Sequence, residues 1–223
     1  MRILIASIVL EELTQAGDFG IHGIITNPTI VAVVDKPWEV SVREAAEVIT
    51  DGDFHLQITE DHDREAAMRQ VAAFREVLGD RLVVKACINQ EMLSIIPRVK
   101  GMGLKVNITG IVTSTQAYLA AQAGADFVSI YLGRADNAGI GSIDLVSKAD
   151  AFIKREGFDC RIVAASLKGL AQFDSATVAG ASYAACPFPL LEQLVQHSAT
   201  DASIEGFRRD WETIPKQPGP VGQ

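Results

Sequence analysis

Lys85 interrupts an otherwise apolar run, Leu82-Val83-Val84-Lys85-Ala86-Cys87, whose composition predicts a buried β-strand. Taking an ammonium group out of water disfavours its charged form, and full burial can bring a lysine from about 10.4 to near neutrality. An amine that is partly neutral at physiological pH is a nucleophile, and it condenses with ketones and aldehydes. The alternative is a lysine at a strand end, with its stem buried and its ammonium reaching water. Other polar residues recur at the ends of predicted strands: Asn27, Gln57, Thr109, Ser129, Tyr131, Arg134, Ser166 and Lys168. Singly, Gln57 or Thr109 can be read as closing a ladder end; together the group reads as a site.

The elements that must position these residues follow from hydrophobic period. Short β-branched runs, Arg2 to Ala6, His22 to Thr26, Phe54 to Thr59, Leu82 to Cys87, Lys105 to Ile111, Phe127 to Leu132, Arg161 to Ser166 and Tyr183 to Cys186, alternate with helical patterns. The clearest helices are predicted over Asp63 to Leu78, Gln90 to Met102, Thr115 to Ala123, Ile143 to Glu156 and Pro189 to His197, several followed by Gly. Eight such units predict a (β/α)8 TIM barrel, with a doubly wound open sheet as the alternative. A further helix is expected from Ala202 to Trp211. One domain is expected over residues 1–215, with a flexible tail over 216–223. Active sites of such barrels lie at the carboxyl ends of the strands, where the polar residues above fall. Strand alternation places Val83, Lys85 and Cys87 on one face and Asn107, Thr109 and Ile111 on one face of the next strand, with Gln57 on the other side of Lys85.

Composition narrows the function classes. The net charge of −8 comes without a local cluster of Lys and Arg, which argues against a nucleic-acid surface. No apolar run reaches a membrane-spanning length, and the start Met1-Arg2-Ile3-Leu4-Ile5-Ala6-Ser7 is too short for a signal segment, so a soluble cytoplasmic protein is expected. Cys87, Cys160 and Cys186 lack paired spacing and lie in apolar runs, and are expected to be reduced. The four histidines, His22, His55, His62 and His197, are not at ligand spacing, and no metal site is expected.

Five segments in order, Gly23-Ile24-Ile25-Thr26-Asn27-Pro28-Thr29, Val83-Val84-Lys85, Asn107-Ile108-Thr109, Ser129-Ile130-Tyr131-Leu132-Gly133-Arg134 and Ala164-Ala165-Ser166-Leu167-Lys168, resemble the small transaldolase and fructose-6-phosphate aldolase family. The resemblance spans nearly the whole chain and includes the end of the last helix at Asp210-Trp211. It implies a (β/α)8 barrel with a Schiff-base lysine on strand four, no cofactor, a small phosphorylated sugar or aldehyde as substrate, and assembly into homo-oligomers, pentamers or decamers. By resemblance Lys85 is the nucleophile, Asn27 holds hydroxyls of a three-carbon donor, and Arg134, Ser166 and Lys168, with Ser129 nearby, hold substrate. An Arg, a short hydroxyl and a Lys also suit a phosphate dianion on chemical grounds, although Arg134 and Asp136 could instead form a loop ion pair. Gln57, Thr109 and Tyr131 would hold a water that moves protons to and from the lysine adduct. Gln57 and Tyr131 resemble the free aldolases, where transferring members typically carry Glu and Phe.

Two departures stand against this pattern. The family's first strand normally ends in an aspartate that accepts a hydroxyl proton, and the matching residue here is Ala6. Loss of a positioned base typically costs on the order of a hundredfold to ten-thousandfold in rate. Ser7 follows it but points to the opposite face if the strand continues. After the lysine the chain reads Ala86-Cys87-Ile88-Asn89, where relatives usually carry an apolar residue and Pro. Three readings are therefore open: a Schiff-base aldolase or transaldolase, a binding or assembly protein on the same scaffold, and a lysine that adds reversibly to small carbonyl compounds without cleaving sugars.

Overall fold

In a computed structural model, which describes residues 1–215, the β-branched runs form eight parallel strands closed in sequence order into a barrel. The strands are β1 (Arg2–Ile5), β2 (Gly23–Ile25), β3 (Asp53–Gln57), β4 (Leu82–Cys87), β5 (Lys105–Ile111), β6 (Phe127–Tyr131), β7 (Arg161–Ala165) and β8 (Tyr183–Cys186). The helices are α1 (Leu10–Gly17), α2 (Pro28–Val31), α3 (Trp38–Val48), α4 (Arg64–Leu78), α5 (Gln90–Gly101), α6 (Ser114–Gln122), α7 (Leu132–Asn137), α8 (Ser142–Glu156), α9 (Leu170–Val178), α10 (Phe188–Gln193) and α11 (Ser198–Thr213). None is long and apolar enough to cross a membrane. The expected tail over 216–223 lies outside the described residues.

Strand alternation sorts the core into two layers. Leu4, Ile25, Val83, Phe127, Val163 and Ala185 fill the barrel. Leu56, Val84, Ile108, Ile130 and Ile162 point outward and pack under the helices. Full burial of each such side chain contributes about 1.5–3 kcal/mol, so both layers hold the strands in register. Helix starts follow capping chemistry: Asp63 Oδ1 accepts from the backbone of Glu65 and Ala66, Asn89 Oδ1 from Met92, and Thr113 closes a capping box with Gln116.

Two expectations fail for local reasons. Ile111 does not share the inward face of Asn107 and Thr109. A register shift between Ile108 and Ile111, with Gly110 at φ 76°, adds a residue and turns Ile111 into the outer layer against Ile130. The helix expected to reach His197 stops at Gln193, because His197 starts α11 and accepts from Ala199 N. That last helix runs longer than the expected Ala202 to Trp211 and buries none of its residues; Ile204, Phe207 and Trp211 are exposed.

Candidate active site

Lys85 lies on the inward face of β4, 3% exposed, paired in register with Gln57 on β3 and Asn107 on β5. Its Nζ donates to the Thr26 carbonyl at 2.6 Å, so the side chain spans from β4 to the end of β2. Burial lowers its pKa to about 7; the nearby Arg134 guanidinium pushes the same way, against an opposing pull from Cys87. The amine does not snorkel. It is held inside, at a cavity of about 300 Å³ lined by Ala6, Asn27, Tyr131, Arg134, Ser166 and Pro187 among others.

The cavity wall is built from strand ends. Asn27 follows β2, and its Oδ1 accepts from Ile30 N at 2.9 Å, capping α2 with Pro28 in the first turn. Tyr131 closes β6, and the Arg134 guanidinium lies over its ring at 4.6 Å, a cation–π contact that fixes both at the mouth. No carboxylate pairs with Arg134 among the described residues. The alternative ion pair to Asp136 is absent because Asp136 is engaged by Ser142 N, Ser142 Oγ and Gln172 Nε2. Those hydrogen bonds hold its carboxyl below the usual carboxylate range, the Ser142 backbone contact contributing most.

Ser166 reaches the cavity through a backbone that side-chain residues rarely adopt, φ 56°. Its carbonyl accepts from Gly133 N at 3.0 Å, and a Cβ on Gly133 would come within 2.6 Å of that oxygen. Glycine at 133 therefore lets the β6 and β7 ends close around the arginine and the serine. Lys168 is exposed and is not among the residues that line the cavity, while its stem lies against Gly133, the neighbour of Arg134.

Gln57 and Thr109 flank Lys85 without lining this cavity. Gln57 Nε2 lies 3.5 Å from Cys87 Sγ, Thr109 pairs in register with Cys87, and both Gln57 Oε1 and Thr109 Oγ1 are buried without a hydrogen-bond partner. Gln57 ends β3 in register with Lys85 and Thr109 pairs two residues further along β4, and each retains hydrogen-bonding capacity there. Ser129 lies deeper. Its Oγ donates to Asn107 Oδ1 at 2.8 Å, and Asn107 Nδ2 meets His55 Nδ1 at 3.0 Å, a buried chain across the barrel interior. That contact makes His55 Nδ1 the acceptor and leaves the proton on Nε2, which has no partner. Burial lowers the His55 pKa to about 3, with Lys85 and Lys105 adding to the effect. Ligand spacing does not single out His55 in the sequence; its place two residues before Gln57, on the same strand face, is the signal that does.

Ala6 faces the cavity, and Ser7 does not replace the missing carboxylate there: its Oγ donates to Glu12 Oε2, away from Lys85. The thiol of Cys87 is half-buried and those of Cys160 and Cys186 fully so; burial raises all three, Cys160 to about 12 and Cys186 to about 11. Among the described residues no group of three His, Cys, Asp or Glu could hold a metal ion.

The model of the family described as Transaldolase/Fructose-6-phosphate aldolase matches residues 5–217. The chain belongs to that family. Relatives named probable transaldolase share its full span within this transaldolase and aldolase family: one from Aquifex aeolicus (strain VF5) is 32% identical over 98% of this chain and 100% of its own length, and one from Hydrogenobaculum sp. (strain Y04AAS1) is 33% identical over the same shares. A mandelate oxidase solved with (S)-2-phenylpropionate superimposes with a TM-score of 0.60 over 85% of this chain and 65% of its own, at 16% identity, a likeness of fold alone.

Proposed function

We propose that this transaldolase-family protein is a metal-independent Schiff-base enzyme, a transaldolase or fructose-6-phosphate-aldolase-like lyase, that makes or breaks a carbon–carbon bond in a sugar phosphate through Lys85. The observation that carries this reading is a buried amine with a pKa near 7, held at the floor of a cavity with an arginine and a serine at its rim. The neutral amine adds to the substrate ketone and water leaves, giving an imine. The imine draws the electron pair of the bond between its α and β carbons while the β-hydroxyl gives its proton to the water held by Tyr131, Gln57 and Thr109, so that an aldehyde leaves and an enamine stays on Lys85. Protonation of the enamine carbon and hydrolysis release the ketone. Arg134 and Ser166 hold the phosphate, with Lys168 adding charge from outside, Asn27 orients donor hydroxyls, and Ser129 supports the barrel floor. Tyr131, Gln57 and Thr109 hold and feed a water to the adduct, which gives the two unpaired oxygens their partner.

The exposed face of Ile204, Phe207 and Trp211 on α11, with Ile214 just after it, supports a homo-oligomer, which family resemblance makes a pentamer or decamer; the acidic composition and a metabolic enzyme family support a cytoplasmic site of action. Ala6 favours a second reading, a sugar-phosphate binding scaffold without turnover. Incubation with fructose 6-phosphate or dihydroxyacetone and borohydride, followed by peptide mapping, is expected to label Lys85; an unlabelled Lys85 overturns the imine. Release of glyceraldehyde 3-phosphate from fructose 6-phosphate then separates turnover from capture.

A further inference from the structure

The cavity at Lys85 has a neighbour on its β1 side. Ala6, Ile30 and Pro187 line it, and the same three residues line a second cavity of about 210 Å³. At position 6 the shared boundary carries only the methyl group of an alanine. Beyond it the lining is mostly apolar, with Val9, Val33 and Phe188, and its polar groups are Ser7 and Glu12. Ser7 is fully engaged: its Oγ accepts from Val9 N at 3.1 Å and donates to Glu12 Oε2. This ties Glu12 Oε2 to Ser7, and Oε1 is the remaining acceptor of a residue that lines the second cavity. A carboxyl group there receives a hydroxyl and repels a phosphate.

We infer that, given an imine at Lys85 as proposed above, the donor site continues past Ala6, and that this enzyme takes hydroxy ketones whose carbon chain extends beyond three carbons and ends in a hydroxyl donated to Glu12. The alkyl stem packs against Ile30, Val33 and Pro187. The bond changes are those of the imine alone: the amine nitrogen bonds to the ketone carbon, the carbonyl oxygen leaves as water, and borohydride supplies the hydride that fixes the adduct. Loss of the carboxylate at position 6 is then the opening of a passage as well as the loss of a base.

The test compares borohydride-trapped adducts of the full chain with hydroxyacetone, 1-hydroxy-2-hexanone and 1,6-dihydroxy-2-hexanone, read by intact mass and located by peptide mapping. All three are expected to label Lys85. Val33→Trp, at a position 68% exposed and so tolerant of a larger side chain, fills the second cavity. It is expected to lower both six-carbon adducts about tenfold relative to the hydroxyacetone adduct of the same variant. Glu12→Leu is expected to lower the dihydroxy adduct about tenfold relative to the monohydroxy one. Labelling by hydroxyacetone but by neither six-carbon ketone overturns the inference, as does a Val33→Trp variant that shifts all three equally. An unchanged six-carbon ratio in Glu12→Leu overturns the hydroxyl end. Failure of all three ketones to label Lys85 is a different result, which removes the imine itself.

Discussion

From β3 to β6 the barrel carries Gln57, Lys85, Thr109 and Tyr131, of which Lys85 and Tyr131 line the cavity, whereas the wall made by β1 and β8 gives that cavity only Ala6, Ala185 and Pro187. The first arc is costly to fold. It keeps an amine out of water and leaves Gln57 Oε1 and Thr109 Oγ1 without partners, the kind of buried deficit that folded proteins usually avoid. The second arc carries no such deficit and no proton acceptor. The contrast assigns chemistry to one arc and the room for substrate to the other, and each half of that assignment can be broken separately.

The largest effect is expected on the polar arc. Lys85→Met should reduce cleavage or transfer by about four orders of magnitude or more, measured as release of glyceraldehyde 3-phosphate from fructose 6-phosphate. The same variant should be more stable than the parent near pH 7 by a few kcal/mol, because it no longer buries an amine. The sign follows from the proton balance: with a pKa of about 7 folded and the higher ordinary value unfolded, the unfolded chain holds more protons between them. Stability of the parent therefore rises with pH above about 7, and denaturant titrations of Lys85→Met should lose that slope; an unchanged slope would place Lys85 in water.

A smaller effect is expected for Tyr131→Phe. It keeps the ring under Arg134 and removes the hydroxyl, so turnover should fall about a hundredfold while phosphate affinity stays near that of the parent. A rise in KM with an unchanged kcat would show that the hydroxyl binds substrate and moves no proton. The acid side is set deeper. His55, at about 3 folded against about 6.5 unfolded, should make stability fall as pH drops below about 6.5. His55→Phe should flatten that fall in acid denaturation, and a parent-like profile would show that another group controls it. The smallest change is Gly133→Ala. The added methyl must displace the Ser166 carbonyl or the Lys168 stem, and about 1–3 kcal/mol of stability should go with weaker phosphate binding, read by calorimetry.

Much of this contrast is legible in the order of the amino acids. β4 runs from Leu82 to Cys87 as its composition predicts, and one charged residue in that run marks the proposed nucleophile. Alanine at position 6 likewise marks the bare wall. What escapes are departures from period two. The extra residue at Gly110 reverses the face of Ile111, and the left-handed backbone at Ser166 breaks alternation after β7; neither leaves a pattern in side-chain type. The His55, Asn107 and Ser129 chain is hidden for another reason. Each of these residues is ordinary alone, and only closure of β3, β5 and β6 into one barrel brings them together.

The hydrogen bond from Lys85 to the Thr26 carbonyl has a consequence for how this site tolerates change. Its acceptor belongs to the main chain, so no single substitution at position 26 deletes it; any residue that keeps β2 in register supplies the same oxygen. Side-chain partners around the amine can vary while the lysine keeps its aim. The geometry of the nucleophile is inherited from the barrel, and the surrounding side chains are left free to explore new substrates.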